Sequence, residues 1–95
     1  MRRRYLFSYD VSDDARRDKI FKTLRDHGDH AQYSVFFCEL NATEYAELHG
    51  RLDPLLHHGE DQMLILDLGP AKRSLSECLE VLGRPYRPPG RCLVL

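Results

Sequence analysis

The order of two periodicities constrains this chain most. Tyr5, Phe7 and Tyr9 alternate with Leu6, Ser8 and Asp10, the period-two pattern of strand formers, and residues 3–9 read as a first strand. Ser12, Asp13 and Asp14 then open a helix, with a capping hydroxyl and two acids near the positive end of its dipole. Ile20, Phe21 and Leu24 form its apolar stripe, and Gly28 is expected to stop it. The cycle repeats. Residues 30–40, HAQYSVFFCEL, are aromatic and β-branched and therefore extended. Asn41 with Glu44 three residues later reads as the capping box of a second helix, striped by Tyr45, Leu48, Leu52, Leu55 and Leu56. Pro54 tightens or kinks its last turn. After the polar loop HHGED, the near-continuous apolarity of MLILDLG at 63–69 predicts a strand covered on both faces. A shorter extended piece is expected around Cys78 to Leu82.

Two helices alternating with extended segments in 95 residues point to one domain of class α+β, a sandwich with both helices on one face of a mainly antiparallel sheet. The other sheet face then needs cover, and a second copy packed on Leu6, Ser8 and their neighbours would supply it as a homodimer. The chain ends on the stiff connector RPYRPPGR followed by the apolar CLVL. Such an end docks on something, most simply a sheet edge of its own or of a second copy.

Fourteen Lys and Arg against fifteen Asp and Glu leave no global charge to advertise a nucleic-acid or membrane partner, so any anion site must come from local clustering. Arg2, Arg3 and Arg4 start like a signal peptide, but the apolar segment behind them is too short and Tyr9 and Asp10 interrupt it; no segment approaches a membrane span. Cys38, Cys78 and Cys92 are odd in number and each lies in an apolar run. Buried thiols in a reducing, cytoplasmic setting are expected rather than metal or redox chemistry.

Asp10 stands where the first strand hands over to the first helix, the kind of carboxyl end at which ligand sites gather. It either accepts amide hydrogen bonds from the turn, as Asp does in many loops, or serves a ligand. One carboxylate is a poor Mg²⁺ site, but a dimer axis near the end of the strand would bring two Asp10 side chains together. Without a cation such a pair repels, and one member takes up a proton. Arg16, Arg17, Lys19, Lys22 and Arg25 give the first helix a basic flank, and Arg17 lies about one turn past Ser12, near Asp10. The alternatives are a solvated flank and an Arg17 stem lying along Ile20. Arg2 to Arg4 are surface chemistry or a phosphate track. His57 and His58 with Glu60 and Asp61 suit a helix C-terminus better than a metal. Tyr9, Tyr33, Phe36 and Phe37 are expected to pack in the core rather than stack on bases.

The stretches YLFSYDVSDDARRDKIFKTL, QYSVFFCEL and DQMLILDLG together resemble the small CRISPR-associated endonuclease family, the second of the two core proteins of spacer acquisition. The resemblance covers nearly the whole chain. Its most specific parts are the Tyr9-Asp10 pair, Arg17, and Gln32, Ser34 and Phe36. It implies a ferredoxin-like fold, with residues 1–83 as core and 84–95 as a linker and C-terminal strand that crosses to the partner subunit of a homodimer. It also implies that residues 30–40 split into two strands, with a bend near Ser34, although periodicity does not show one. Asp10 becomes a shared ligand of Mg²⁺ or another divalent cation. Asp10 and Arg17 become catalytic, Arg16, Arg17 and Lys19 nucleic-acid-binding, and Tyr9, Ser34 and Phe36 supporting. His30 stands where the family often carries arginine.

The function so implied is metal-dependent phosphodiester hydrolysis of RNA or double-stranded DNA in spacer acquisition, beside the CRISPR integrase. The alternative is a non-catalytic dimeric adaptor that bridges that integrase and binds duplex DNA. A small-ligand domain of the same fold has no pocket signal in the sequence.

Overall fold

Phe7 and Phe36 lie directly opposite each other on neighbouring strands, both with no exposed surface. Rings of this size prefer burial by roughly 2–3 kcal/mol each, and the rest of the apolar set is arranged over them. The computed structural model describes residues 1–86. Its elements are β1 (Arg3–Asp10), α1 (Asp14–Arg25), β2 (Asp29–Gln32), β3 (Val35–Leu40), α2 (Ala42–Leu52) and β4 (Gln62–Pro70), with 3₁₀ turns at Asp53–Leu55 and Leu75–Glu77. The strands form one antiparallel sheet in the order β2-β3-β1-β4. Ile20 and Leu24 of α1 and Leu48 and Leu52 of α2 close over Phe7, Tyr9, Phe36, Cys38 and Leu40 on one sheet face. The α+β sandwich expected from the sequence is the observed fold.

Residues 30–40 do split. β2 and β3 form a hairpin whose two turn residues, Tyr33 and Ser34, lie between the paired Gln32 and Val35. Ser34 has φ of 67°, a left-handed conformation that a non-glycine residue rarely adopts. Its carbonyl accepts a hydrogen bond from the Tyr9 amide at 3.1 Å, which ties the hairpin to the end of β1.

Several local expectations change. The cap of α1 is Asp13, whose carboxylate accepts from the Arg16 amide at 2.9 Å, because Asp13 rather than Ser12 holds the extended backbone before the first turn. Gly28 does not terminate α1, which ends at Arg25. It lets β2 approach β3: a Cβ at Gly28 would sit 2.4 Å from Cys38 Sγ and 2.5 Å from the Phe37 carbonyl oxygen. The capping box of Asn41 and Glu44 forms, and Pro54 lies in the 3₁₀ turn that tightens the end of α2. β4 is covered on one face only, since Leu64 and Leu66 remain 51% and 49% exposed. Cys78 is exposed at the end of the second 3₁₀ turn, not buried in a strand. Cys38 is buried as expected, and that burial, helped by Asp29, pushes its thiol up to about 12. Cys92 and the CLVL terminus lie outside the described residues.

The loop before β4 is fastened to α1 by Arg16. Arg16 grips Asp61 with two hydrogen bonds, Nε to Oδ2 at 2.8 Å and Nη2 to Oδ1 at 3.1 Å, and also reaches Glu60. Asp61 accepts a further bond from the His57 amide, and its side chain is completely covered. The Arg16 hydrogen bonds first, then the His57 amide, hold the Asp61 carboxyl below its usual range. The next residue, Gln62, opens β4 opposite Asp10.

Two glycine substitutions should move stability in opposite directions. Gly28→Ala should cost about 1–3 kcal/mol by overpacking. Gly50→Ala, in the interior of α2 with open space around it, should stabilise by up to about 1 kcal/mol. Urea denaturation with an unchanged slope checks both. Asp61→Asn should lower the denaturation midpoint at neutral pH. A carboxyl with a depressed native pKa contributes stability above its unfolded value and loses it as pH falls through the native one. The gap between wild type and Asp61→Asn should therefore close as the pH drops below about 4.

Candidate nucleic-acid site

Asp10 is the last residue of β1, and the alternation of that strand puts it with Ser8 and Leu6 on the face away from the helices. It is exposed, and its carboxylate has no hydrogen bond or ion pair among the described residues. The structural reading, in which Asp10 serves turn amides, is therefore not what the fold uses. Its cross-strand neighbour is Gln62, and beyond Gln62 the half-exposed Leu64 and Leu66 continue the same face. Towards β3, the face carries Leu6, Val35 and Phe37, and residues 79–86 lie along a groove there, with Tyr86 edge-on to Phe37 at 6.0 Å. Asp10 thus stands at the rim of an apolar surface that the described residues cover only in part.

Tyr9, one residue earlier, points the other way into the helix side and is 6% exposed. It borders a cleft of about 300 Å³ that α1 and the β2–β3 hairpin form, lined by Arg17, Phe21, His30, Tyr33 and Ser34. Burial first, and Tyr33 second, keep the Tyr9 phenol harder to ionise than usual, with Arg17 partly offsetting them. Arg17 donates Nη1 to the carbonyls of Val11 and Ser12 at 3.0 and 3.2 Å and pairs through Nη2 with Asp14. The Asp14 hydrogen bond is the main reason its guanidinium holds its proton more firmly still. Arg17 is thus anchored in the turn after Asp10, and it makes no ion pair with Asp10 itself.

The other predicted positions divide. Lys19 is exposed, with no side-chain partner among the described residues. Arg16 is engaged internally by Asp61 and Glu60. Phe36 is fully buried and supports the cleft from beneath, 5.5 Å from Phe21 and 4.8 Å from His30, centroid to centroid. Arg2, Arg3 and Arg4 pair with Glu44, Asp67 and Glu39, and Arg4 also caps the carbonyls of Ala71 and Arg73, so this cluster locks β1 to its neighbours. His58 pairs with Asp53 at the end of α2. Tyr33 departs from its expected place in the core: it is 77% exposed at the hairpin tip. The split near Ser34 that the resemblance implied puts Tyr33 in the turn itself, and the ring is exposed there.

As a donor set, one chain offers a cation little. Among the described residues, no three His, Cys, Asp or Glu side chains gather as a metal cage. Asp10 nevertheless fits as one ligand of a hard divalent cation, being an unengaged carboxylate at an exposed rim.

Residues 1–74 match the family model described as CRISPR associated protein Cas2. A CRISPR-associated endoribonuclease Cas2 of Geobacter sulfurreducens is 33% identical over 84 residues, 88% of this chain and 87% of that protein. One from Thermus thermophilus is 36% identical over 92% of this chain and 84% of its own length. Among solved structures, a hypothetical protein from Thermus thermophilus superposes with a TM-score of 0.78 at 32% identity, covering 94% of this chain and all of that one. Streptococcus pyogenes Cas2 gives 0.73 at 27% identity over 84% of this chain and 99% of its own. No helix among the described residues is long and apolar enough to cross a membrane. With a family model across most of its length, relatives above 30% identity and solved structures that superpose over most of it, this chain belongs to the Cas2 family of CRISPR-associated proteins.

Proposed function

We propose that the protein is a metal-dependent endonuclease of spacer acquisition that works as a homodimer, with Asp10 of each copy facing the other across the shared sheet faces. The observation that carries this reading is the Asp10 carboxylate, without a partner among the described residues, at the rim of an apolar face that those residues leave half exposed. Leu64 and Leu66 are the residues a second copy would bury, and burial of such a face drives association. Residues 84–95 are the segment proposed to reach the partner, in part outside the described residues. Mg²⁺ or a similar cation held by the two Asp10 side chains would polarise a phosphate oxygen and activate water. Arg17, fixed by the Val11 and Ser12 carbonyls, orients a phosphate beside that centre, and Lys19 on the same helix adds attraction along the strand. Arg16 acts through Asp61, holding the start of β4 against the end of β1. The relatives' endoribonuclease names support this class of reaction.

A second reading has its own support. No side chain among the described residues makes a hydrogen bond or ion pair with Asp10, so no general base is paired with it, and Arg17 and Arg16 are held by Asp14 and Asp61. A centre of this kind is slow, and the dimer could instead serve spacer acquisition as an adaptor that binds duplex DNA and bridges the CRISPR integrase.

With labelled RNA or double-stranded DNA, the wild type should cleave in Mg²⁺ and not in chelator, and Asp10→Ala should lose at least about 100-fold. Absence of cleavage in every divalent metal overturns the nuclease reading. If Asp10→Ala loses cleavage yet still supports spacer acquisition in cells, the acquisition role is the adaptor's. Leu66→Glu should give a folded monomer by ultracentrifugation and lose cleavage with the dimer. A monomeric wild type at micromolar concentration overturns the shared site.

A further inference from the structure

Two walls of the cleft between α1 and the β2–β3 hairpin are aromatic rings that the core does not need. Tyr33 is 77% exposed in a two-residue turn, where glycine and small polar residues are the usual occupants. It has no hydrogen bond or ring contact among the described residues, so folding gains little from it. His30 lays its ring on Phe36 at 4.8 Å, meets Phe21 edge-on at 5.2 Å, and is still exposed. Arg17 lines the same cleft, and its bonds to Val11, Ser12 and Asp14 leave Nε without a partner among the described residues. Two acids also border the cleft, and both are already neutralised, Asp14 by Arg17 and Asp18 by Lys22 at 2.9 Å. Exposed rings beside a positioned guanidinium are the elements with which proteins hold single strands: stacking for the base, charge for the phosphate.

We propose that this cleft takes one unpaired nucleotide of a single strand, its base against Tyr33 and His30 and its phosphate on Arg17. The volume, about 300 Å³, lies at the lower end for small-molecule sites and admits one nucleotide. A paired base cannot enter, because its edge is occupied by its partner and its faces by its neighbours in the stack. The inference rests on the nucleic-acid function proposed above and deepens it: Tyr33 and His30 select single-stranded segments or frayed ends over continuous duplex. Stacking is indifferent to the sugar, so RNA and DNA strands should both bind. Tyr33 is also sited to let a strand pass from the Asp10 rim around the hairpin tip, since the Tyr9 amide and the Ser34 carbonyl join the two.

The test is fluorescence anisotropy in chelator with a mixed-sequence decanucleotide, single-stranded as RNA and as DNA, and the same DNA as a duplex. Tyr33→Ala should weaken single-strand binding about tenfold, Tyr33→Phe should stay within about twofold of wild type, and duplex binding should change less than about twofold. His30→Ala should weaken the single strand several-fold. A Tyr33→Ala protein that holds the single strand as the wild type does, or that loses duplex and single strand equally, overturns the proposal. Because binding is read without metal, failure to cleave bears on the nuclease reading alone, and failure of the Tyr33 effect bears on the niche alone.

Discussion

The register of β1 is the constraint on which the other features depend. This strand is hydrogen-bonded on both edges, to β3 and to β4, and its two faces have different chemistry. Phe7 must oppose Phe36 and Ile65 under the helices, and with that pairing set, Tyr9 enters the helix side while Asp10 emerges on the other. A slip of one residue would reverse both, exposing two aromatic rings and burying a carboxylate. The placement of Asp10 is therefore enforced by core packing several residues away. Among the described residues, no side-chain hydrogen bond or ion pair of its own holds it there.

Around that strand, acids and arginines are sorted by task. Arg4 and Arg16 are coupled to carboxylates and carbonyls that fasten loops to the sheet and to α1. Asp61, fully covered and held by two partners, contrasts with Asp10, exposed and held by none. A carboxylate whose hydrogen-bonding capacity is filled is part of the scaffold; one left empty at a rim retains its affinity for cations or donors from outside. The two arginines also differ in what holds them: Arg16 gives Nε and Nη2 to Asp61 and Glu60 in the loop before β4, and Arg17 gives Nη1 and Nη2 to Val11, Ser12 and Asp14. Two neighbouring arginines on one helical turn thus do different work because they point at different elements.

Glycine and aromatic positions show a similar division. Gly28 is required by the close approach of β2 to Cys38 on β3, and Ser34 tolerates a left-handed conformation at the hairpin tip. Together they bring the hairpin under α1 and create the cleft that Tyr33 and His30 border. Neither requirement could be read from local pattern, since Gly28 resembles a helix stop and Tyr33 belongs to an aromatic run that looks like core.

The sequence by itself determined the two helices, the strands at 3–9 and 63–69, the Asn41 capping box and the candidacy of Asp10, because each follows from neighbours within a few residues: period, cap and turn chemistry. It also pointed, by resemblance, to the family and to the split of residues 30–40. Among the described residues, tertiary structure alone decided which arginines are engaged, that β4 is covered on one face, that Cys78 and Tyr33 are exposed, and that Asp10 has no side-chain partner. Those outcomes depend on contacts between residues far apart in the chain, such as Arg16 with Asp61 and Arg4 with Arg73, and local periodicity carries no information about which distant groups will meet.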